Sequence, residues 1–304
     1  MEYQKIKGLI AAVFTPMHND GSINLQPIRE YSQYLNSNNL TGAFINGTTG
    51  EGIMMTTEER KIVAEQWIKS VYGDFKMIIH IGSPSIESCK ELAVHAKEIG
   101  AYAVGIMGPN FFKPQTVDDL VRFISEIASL VPDLPVYYYH MPSMSGINLP
   151  MPEFLQQASD KIPNLVGLKF THFDLMEFSQ CMMVEDGKFD ILNGYDEILL
   201  CGLALGAIGG VGSTYNFLSP VYHKLMEYFD AGKIEKARNM QRLSVKMIEI
   251  LNKYGGAVVC GKAILNLMGM NLGPCRLPIK NLDSSEIDQL REDLERIDFF
   301  KTKN

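Results

Sequence analysis

Leu165-Val166-Gly167-Leu168-Lys169 is an apolar, strand-like run closed by one charge, with Phe170 and Thr171 following at once. Taking an ammonium out of water is costly, so a lysine at the end of a buried strand has two outlets. It can snorkel to solvent, or it can act as the neutral amine, a nucleophile toward carbonyl carbon. Its company favours the second. Gly47-Thr48-Thr49-Gly50-Glu51, Tyr139 and Gly194-Tyr195-Asp196-Glu197 also follow short apolar runs.

Working outward from Lys169, such runs recur as strands at Leu9–Phe14, Gly42–Asn46, Lys76–Ile81, Tyr102–Met107, Pro135–Tyr139, Leu165–Lys169, Phe189–Leu192 and Ala207–Val211. Amphipathic segments separate them at Asn24–Leu35, Thr57–Val71, Ser85–Ile99, Val117–Leu130, Pro152–Ala158, Asp174–Met183 and Glu197–Leu205. Thr56 or Thr57 caps the second of these, with Glu58 and Glu59 in its first turn. Eight strand–helix alternations predict a (β/α)8 TIM barrel. A doubly wound sheet is the alternative, but its nucleotide signature is missing. Gly210-Val211-Gly212 opens like a dinucleotide fingerprint, yet Tyr215 stands at the last glycine, and no lysine precedes Ser213. From Pro220 onward only helices are predicted, at Pro220–Ala231, Ile234–Tyr254, Ala257–Met268 and Ser284–Ile297. The expected organisation is a barrel over residues 1–219 carrying the active site, with a C-terminal helical extension, 220–304, packed on its outside.

The 304 residues are 46% hydrophobic and 21% charged, enough for one large domain, and the formal charge of -7 argues against nucleic acid and anionic membrane as partners. Five dispersed cysteines without a C-x-x-C pair suit reduced thiols in a cytoplasmic protein. The run Leu9 to Phe14 is too short for a signal peptide. The longest uncharged stretch, Ile198 to Gly212, falls short of the ~20 residues of a membrane helix and reads as a buried helix entering a strand.

Barrel active sites lie at the C-terminal strand ends. The Gly47–Glu51 loop offers backbone N–H groups and two hydroxyls, Thr48 and Thr49, which suits a carboxylate, although a plain turn reads the same way. Tyr137-Tyr138-Tyr139 must alternate faces, so Tyr137 and Tyr139 share one; which face is interior stays open, as does simple packing for Tyr139. Asp196 and Glu197 either stabilise a helix start or accept hydrogen bonds from a polyol, and Ser213 and Thr214 add hydroxyls. None of the six histidines shows metal-ligand spacing or a carboxylate cluster around it, so no metal is expected; His140 and His172 are supporting candidates at the rim. One amine, one phenol, a carboxylate cradle and hydroxyl-rich walls suit Schiff-base chemistry on an α-keto acid without a bound cofactor.

On the G-[ST]-T-G-E loop (Gly47 to Glu51), the Y-x-x-P segment (Tyr139 to Pro142) and the strand-six Lys169, the chain resembles the pyruvate-dependent class I aldolases that include dihydrodipicolinate synthase and N-acetylneuraminate lyase. The resemblance runs from about Lys7 into the C-terminal region. It implies a Schiff-base role for Lys169, proton transfer at Tyr139, carboxylate binding at Thr48 and Thr49, and a homotetramer. Gly194 to Glu197 and Gly212 to Asn216 are similar to the sialic-acid lyase branch. That likeness implies sialic acid as substrate, pyruvate and N-acetylmannosamine as products, and substrate contacts from Thr171, Gly194, Asp196, Glu197 and Ser213. Two departures from dihydrodipicolinate synthase point the same way: Met144 replaces its usual arginine, and Phe111 its interface tyrosine. His140 stands where asparagine is frequent in both branches. Other keto sugar acids, or a catalytically silent keto-acid-binding barrel, remain the alternatives.

Overall fold

A computed structural model describes residues 3–71 and 73–301. Eight parallel strands close into a barrel in sequence order. They are β1 (Gly8–Ala12), β2 (Gly42–Ile45), β3 (Lys76–His80), β4 (Ala103–Ile106), β5 (Val136–His140), β6 (Leu165–Phe170), β7 (Asp190–Asn193) and β8 (Gly209–Gly212). β8 pairs with β1 to complete the ring, Leu9 opposite Gly210. Alternation along each strand divides the apolar residues into two sets. Ile10, Ala12, Phe44, Ile78, Tyr137, Tyr139, Leu192 and Val211 fill the barrel. Leu9, Ala11, Ala43, Ile45, Tyr138 and Leu168 point into the layer beneath the helices. The face left open by the tyrosine run is thereby decided: Tyr137 and Tyr139 are interior.

The helices between strands are α1 (Ile28–Ser37), α2 (Thr57–Lys69), α3 (Ile86–Glu98), α4 (Val117–Ala128), α5 (Pro142–Ser145), α6 (Met151–Lys161), α7 (Leu175–Met183) and α8 (Leu199–Ala204). Beyond β8 come α9 (Tyr215–Asp230), α10 (Ile234–Lys253), α11 (Ala257–Leu267) and α12 (Ser284–Arg296). Thr56 caps α2: its hydroxyl accepts from Glu59 N while the Glu59 carboxylate accepts from Thr56 N.

Most helix starts lie within two residues of expectation, and two differ by more. α1 begins at Ile28 rather than Asn24, because the Asn24 side chain accepts from Gln26 N and closes a local turn before Pro27. α9 begins at Tyr215, ahead of Pro220, which lies inside it. The first turn is anchored by Asn216 Nδ2, which donates to the nearby Ser213 carbonyl and, in a tertiary bond that local sequence does not advertise, to the Ala12 carbonyl, both at 2.7 Å. The extension expected from residue 220 therefore begins inside a helix. Leu251, Cys260, Ile264 and Leu290 from α10, α11 and α12 join the same apolar layer as the outer faces of the strands. Among the described residues no helix is long and apolar enough to cross a membrane.

At the N-terminal end the barrel is plugged. Tyr137 donates to Asp190 Oδ2 at 2.6 Å, Ile6 N donates to the same oxygen at 2.9 Å, and the Tyr3 hydroxyl bonds that of Tyr137. Burial holds the Asp190 carboxyl above its usual range and the Tyr137 phenol well above its own.

Candidate active site

The opposite end opens into a cavity of about 350 Å³. Thr48, Thr49, Tyr139, Lys169, Thr171, Gly194, Asp196, Glu197 and Ser213 all line it, whereas Thr214, His140 and His172 do not. Lys169 and Tyr139 are register partners on β6 and β5. The Lys169 ammonium position lies 3.9 Å from the Tyr139 ring centroid and 4.5 Å from that of Phe44, and the side chain is buried. Aromatic faces thus surround an amine that forms no ion pair among the described residues. The Tyr139 hydroxyl lies 3.4 Å from Thr48 Oγ1 and donates to Met141 Sδ at 3.0 Å, a weak acceptor. Behind Tyr139, His80 stacks edge-on with centroids 5.8 Å apart, and its Nδ1 donates to the Asn46 carbonyl at 3.1 Å. Burial, then the Arg60 and Lys169 charges, drives the His80 pKa well below its usual value, so the ring is neutral.

The Gly47–Glu51 loop is held from outside the barrel. Glu51 adopts a left-handed backbone, φ 57°, and its fully buried side chain meets Lys262 of α11 at 2.9 Å and Arg276 N at 2.7 Å. Lys262 is buried too and also donates to the Pro274 carbonyl.

On the β7 side, Asp196 Oδ2 accepts from Thr214 N at 2.8 Å and Thr214 Oγ1 at 2.6 Å, while Oδ1 has no partner. Thr171 Oγ1 is equally without one. Glycine is required beside both atoms: a Cβ on Gly212 would lie 1.6 Å from Asp196 Oδ1, and one on Gly194 2.0 Å from Thr171 Oγ1. Burial raises the Asp196 pKa, and burial with the Asp196 charge pushes Glu197 up to about 7.

The family model described as "Dihydrodipicolinate synthetase family" matches residues 5–297. The chain belongs to this family. It is 40% identical to an N-acetylneuraminate lyase of Pongo abelii, over 97% of this chain and 94% of the relative. Among solved structures, the N-acetylneuraminate lyase of Proteus mirabilis superposes with a TM-score of 0.94 at 41% identity, covering 97% of this chain and all of that one. The sialic acid aldolase of Aliivibrio salmonicida gives 0.94 at 39%, covering 98% of each.

Within this family frame, the positions that depart from dihydrodipicolinate synthase are solvent-facing: Met144 is exposed, and Phe111 and Phe112 are 80% and 85% exposed, stacked edge-on against each other. The sequence reading missed the part of the wall contributed by Ile248, Asn252, Ala257 and Val258, where α10 runs into α11. An amphipathic helix gives no local sign of which residues border a cavity. Tyr195 and Phe173, stacked 4.2 Å apart at the rim, were also missed. One reading needs correction. Carboxylates do cluster around a histidine, since ligand atoms of His172, Asp174 and Glu177 lie within 4.8 Å of one another. The spacing H-x-D-x-x-E is not a familiar metal motif and becomes a cluster only because α7 starts at Leu175 and turns Glu177 back toward the loop.

Proposed function

We infer that the chain is an N-acetylneuraminate lyase, a class I aldolase cleaving sialic acid to N-acetylmannosamine and pyruvate. The observation that carries this reading is that Lys169 and Tyr139, in register, share one cavity with Asp196 and Glu197, in a chain about 40% identical to proteins of that name. The Lys169 amine adds to the C2 ketone of the open-chain sugar acid, and loss of water gives an iminium. Thr48, Thr49 and the loop amides hold the substrate carboxylate. The C4 hydroxyl, with Thr171 near it, passes its proton to Tyr139 as the phenol's own proton moves to the substrate carboxylate; the C3–C4 bond breaks and its electron pair moves onto the iminium, leaving an enamine. The aldehyde, N-acetylmannosamine, departs. Protonation at C3 and hydrolysis then release pyruvate and return the free amine. The iminium is the electron sink, so the step calls for no metal or bound cofactor. The unpartnered Asp196 Oδ1, the Glu197 carboxyl, Ser213 and the Gly194 backbone suit the sugar hydroxyls.

A coupled pyruvate-release assay across keto sugar acids tests the substrate, with N-acetylneuraminate expected to give the highest kcat/KM. A higher value for a 2-keto-3-deoxy sugar acid would reassign the aldehyde. Failure of borohydride to trap pyruvate on the protein would leave only a keto-acid-binding barrel. The same reading makes the protein a cytoplasmic homotetramer. Its five free cysteines suit a reducing compartment, and the exposed Phe111–Phe112 pair suits a surface covered by another subunit. Light scattering giving a monomer mass would remove the second part.

A further inference from the structure

We propose that His172, Asp174 and Glu177 bind a divalent transition-metal ion of the zinc, nickel or cobalt kind, outside the catalytic cavity. These residues line a second cavity of about 290 Å³ that shares no lining residue with the first. The chain passes between the two at one peptide bond: Thr171 borders the catalytic cavity and His172 the other. Each carboxylate has one oxygen committed and one to offer. Asp174 Oδ1 accepts from Glu177 N at 2.9 Å, and Glu177 Oε1 accepts from Met151 N at 2.8 Å. Both local bonds fix where the remaining oxygens sit.

A second observation points to a ligand. His140 lines the same cavity, is 2% exposed, and has no hydrogen-bond partner on either ring nitrogen. Its Nε2 lies 3.7 Å from Glu177 Oε2, and its ring stands edge-on to His172 with centroids 5.7 Å apart. Buried imidazoles normally satisfy at least one nitrogen. One imidazole and two carboxylates, with the unpartnered His140 imidazole beside them, form a borderline donor set that favours zinc, nickel or cobalt over magnesium or calcium. Such ions hold N and O ligands at about 2.0–2.2 Å, so ligand atoms lie up to ~4.2 Å apart. The cluster, with ligand atoms within 4.8 Å, needs only a slight contraction. Because His172 directly follows Thr171, a bound ion would stiffen the connection that carries a substrate contact without touching substrate.

The test is calorimetric titration of the full chain with ZnCl2 and with MgCl2, alongside cobalt(II) absorption. One zinc equivalent should bind, magnesium should not compete with it, and the cobalt spectrum should lack the thiolate charge-transfer band that the five cysteines would give. His172→Ala should weaken zinc by at least ~10-fold. Glu177→Gln, which preserves shape and the bond from Met151 N, should do the same, while His95→Ala, a histidine paired elsewhere with Glu65, should change nothing. Unaltered zinc affinity in both folded ligand variants, a thiolate band, or equal binding of magnesium would overturn the proposal.

Discussion

The two ends of the barrel are built from the same parts and arranged to opposite effect. At the N-terminal end Tyr137 meets the buried carboxylate Asp190; at the C-terminal end Tyr139, two residues along the same strand and on the same face, shares a cavity with the buried carboxylate Asp196. Asp190 Oδ2 receives two hydrogen bonds, and Tyr3 closes over Tyr137. Asp196 Oδ1 and Thr171 Oγ1 receive none, and Tyr139 finds only a thioether and a long contact to Thr48. Residue type does not separate structure from chemistry here; unanswered hydrogen-bonding capacity does. The lower end spends its polar groups on one another, and the upper end leaves Asp196 Oδ1 and Thr171 Oγ1 unpaired.

The largest test of this contrast is Lys169→Ala, expected to abolish pyruvate release and borohydride-dependent labelling together. Mass spectrometry should place the wild-type adduct on Lys169. Labelling at Lys262, the other buried lysine among the described residues, would overturn the assignment, since that amine is engaged by Glu51 and the Pro274 carbonyl. Next come the paired tyrosines. Tyr139→Phe should lower kcat by about 10²–10⁴-fold with little change in KM. Tyr137→Phe should instead leave kcat unchanged and cost about 1–3 kcal/mol of stability, because Asp190 loses a buried donor. Interchanged phenotypes would reverse the roles of the two ends.

Glu197→Ala sharpens the comparison further: sialic-acid cleavage should fall about 10- to 150-fold, as expected for a lost hydrogen bond to a charged group, while Schiff-base formation with pyruvate persists. Equal loss of both would mean that Glu197 serves the helix start. The smallest expected effect is on pH dependence. Glu197 titrates near 7 in the folded chain against 4.5 for the free group. The folded state therefore binds the extra proton, and its contribution to stability, complete below about 4.5, is lost as pH rises through about 7. Glu197→Gln should flatten the decline of melting temperature across that window; an unchanged slope would mean that the carboxyl is solvated.

The architecture was legible because a period of strand and helix survives small boundary errors, and the site because barrel geometry gathers strand ends whatever lies between them. Once Lys169, Tyr139 and the loops were placed at strand ends, their convergence needed no further information. What could not be read was long-range. The Asn216–Ala12 bond at the start of α9 joins residues 204 apart, and which face of the tyrosine run is interior emerges only when the barrel closes. The His172 cluster was missed for a different reason: its three residues are close in sequence, but only the turn that starts α7 brings their ligand atoms together.

The Glu51–Lys262 pair carries a lesson for anyone re-engineering this scaffold. Cutting the chain after α10 to obtain a minimal barrel would strand a carboxylate with no exposure and remove its salt-bridge partner. Breaking such a buried pair costs on the order of 3–5 kcal/mol, and the damage would fall on the Gly47–Glu51 loop, whose Thr48 and Thr49 line the cavity. That loop and the C-terminal helices are therefore inherited together. Libraries aimed at new aldehydes belong on the Glu197 side, where side chains can vary without unfastening the loop.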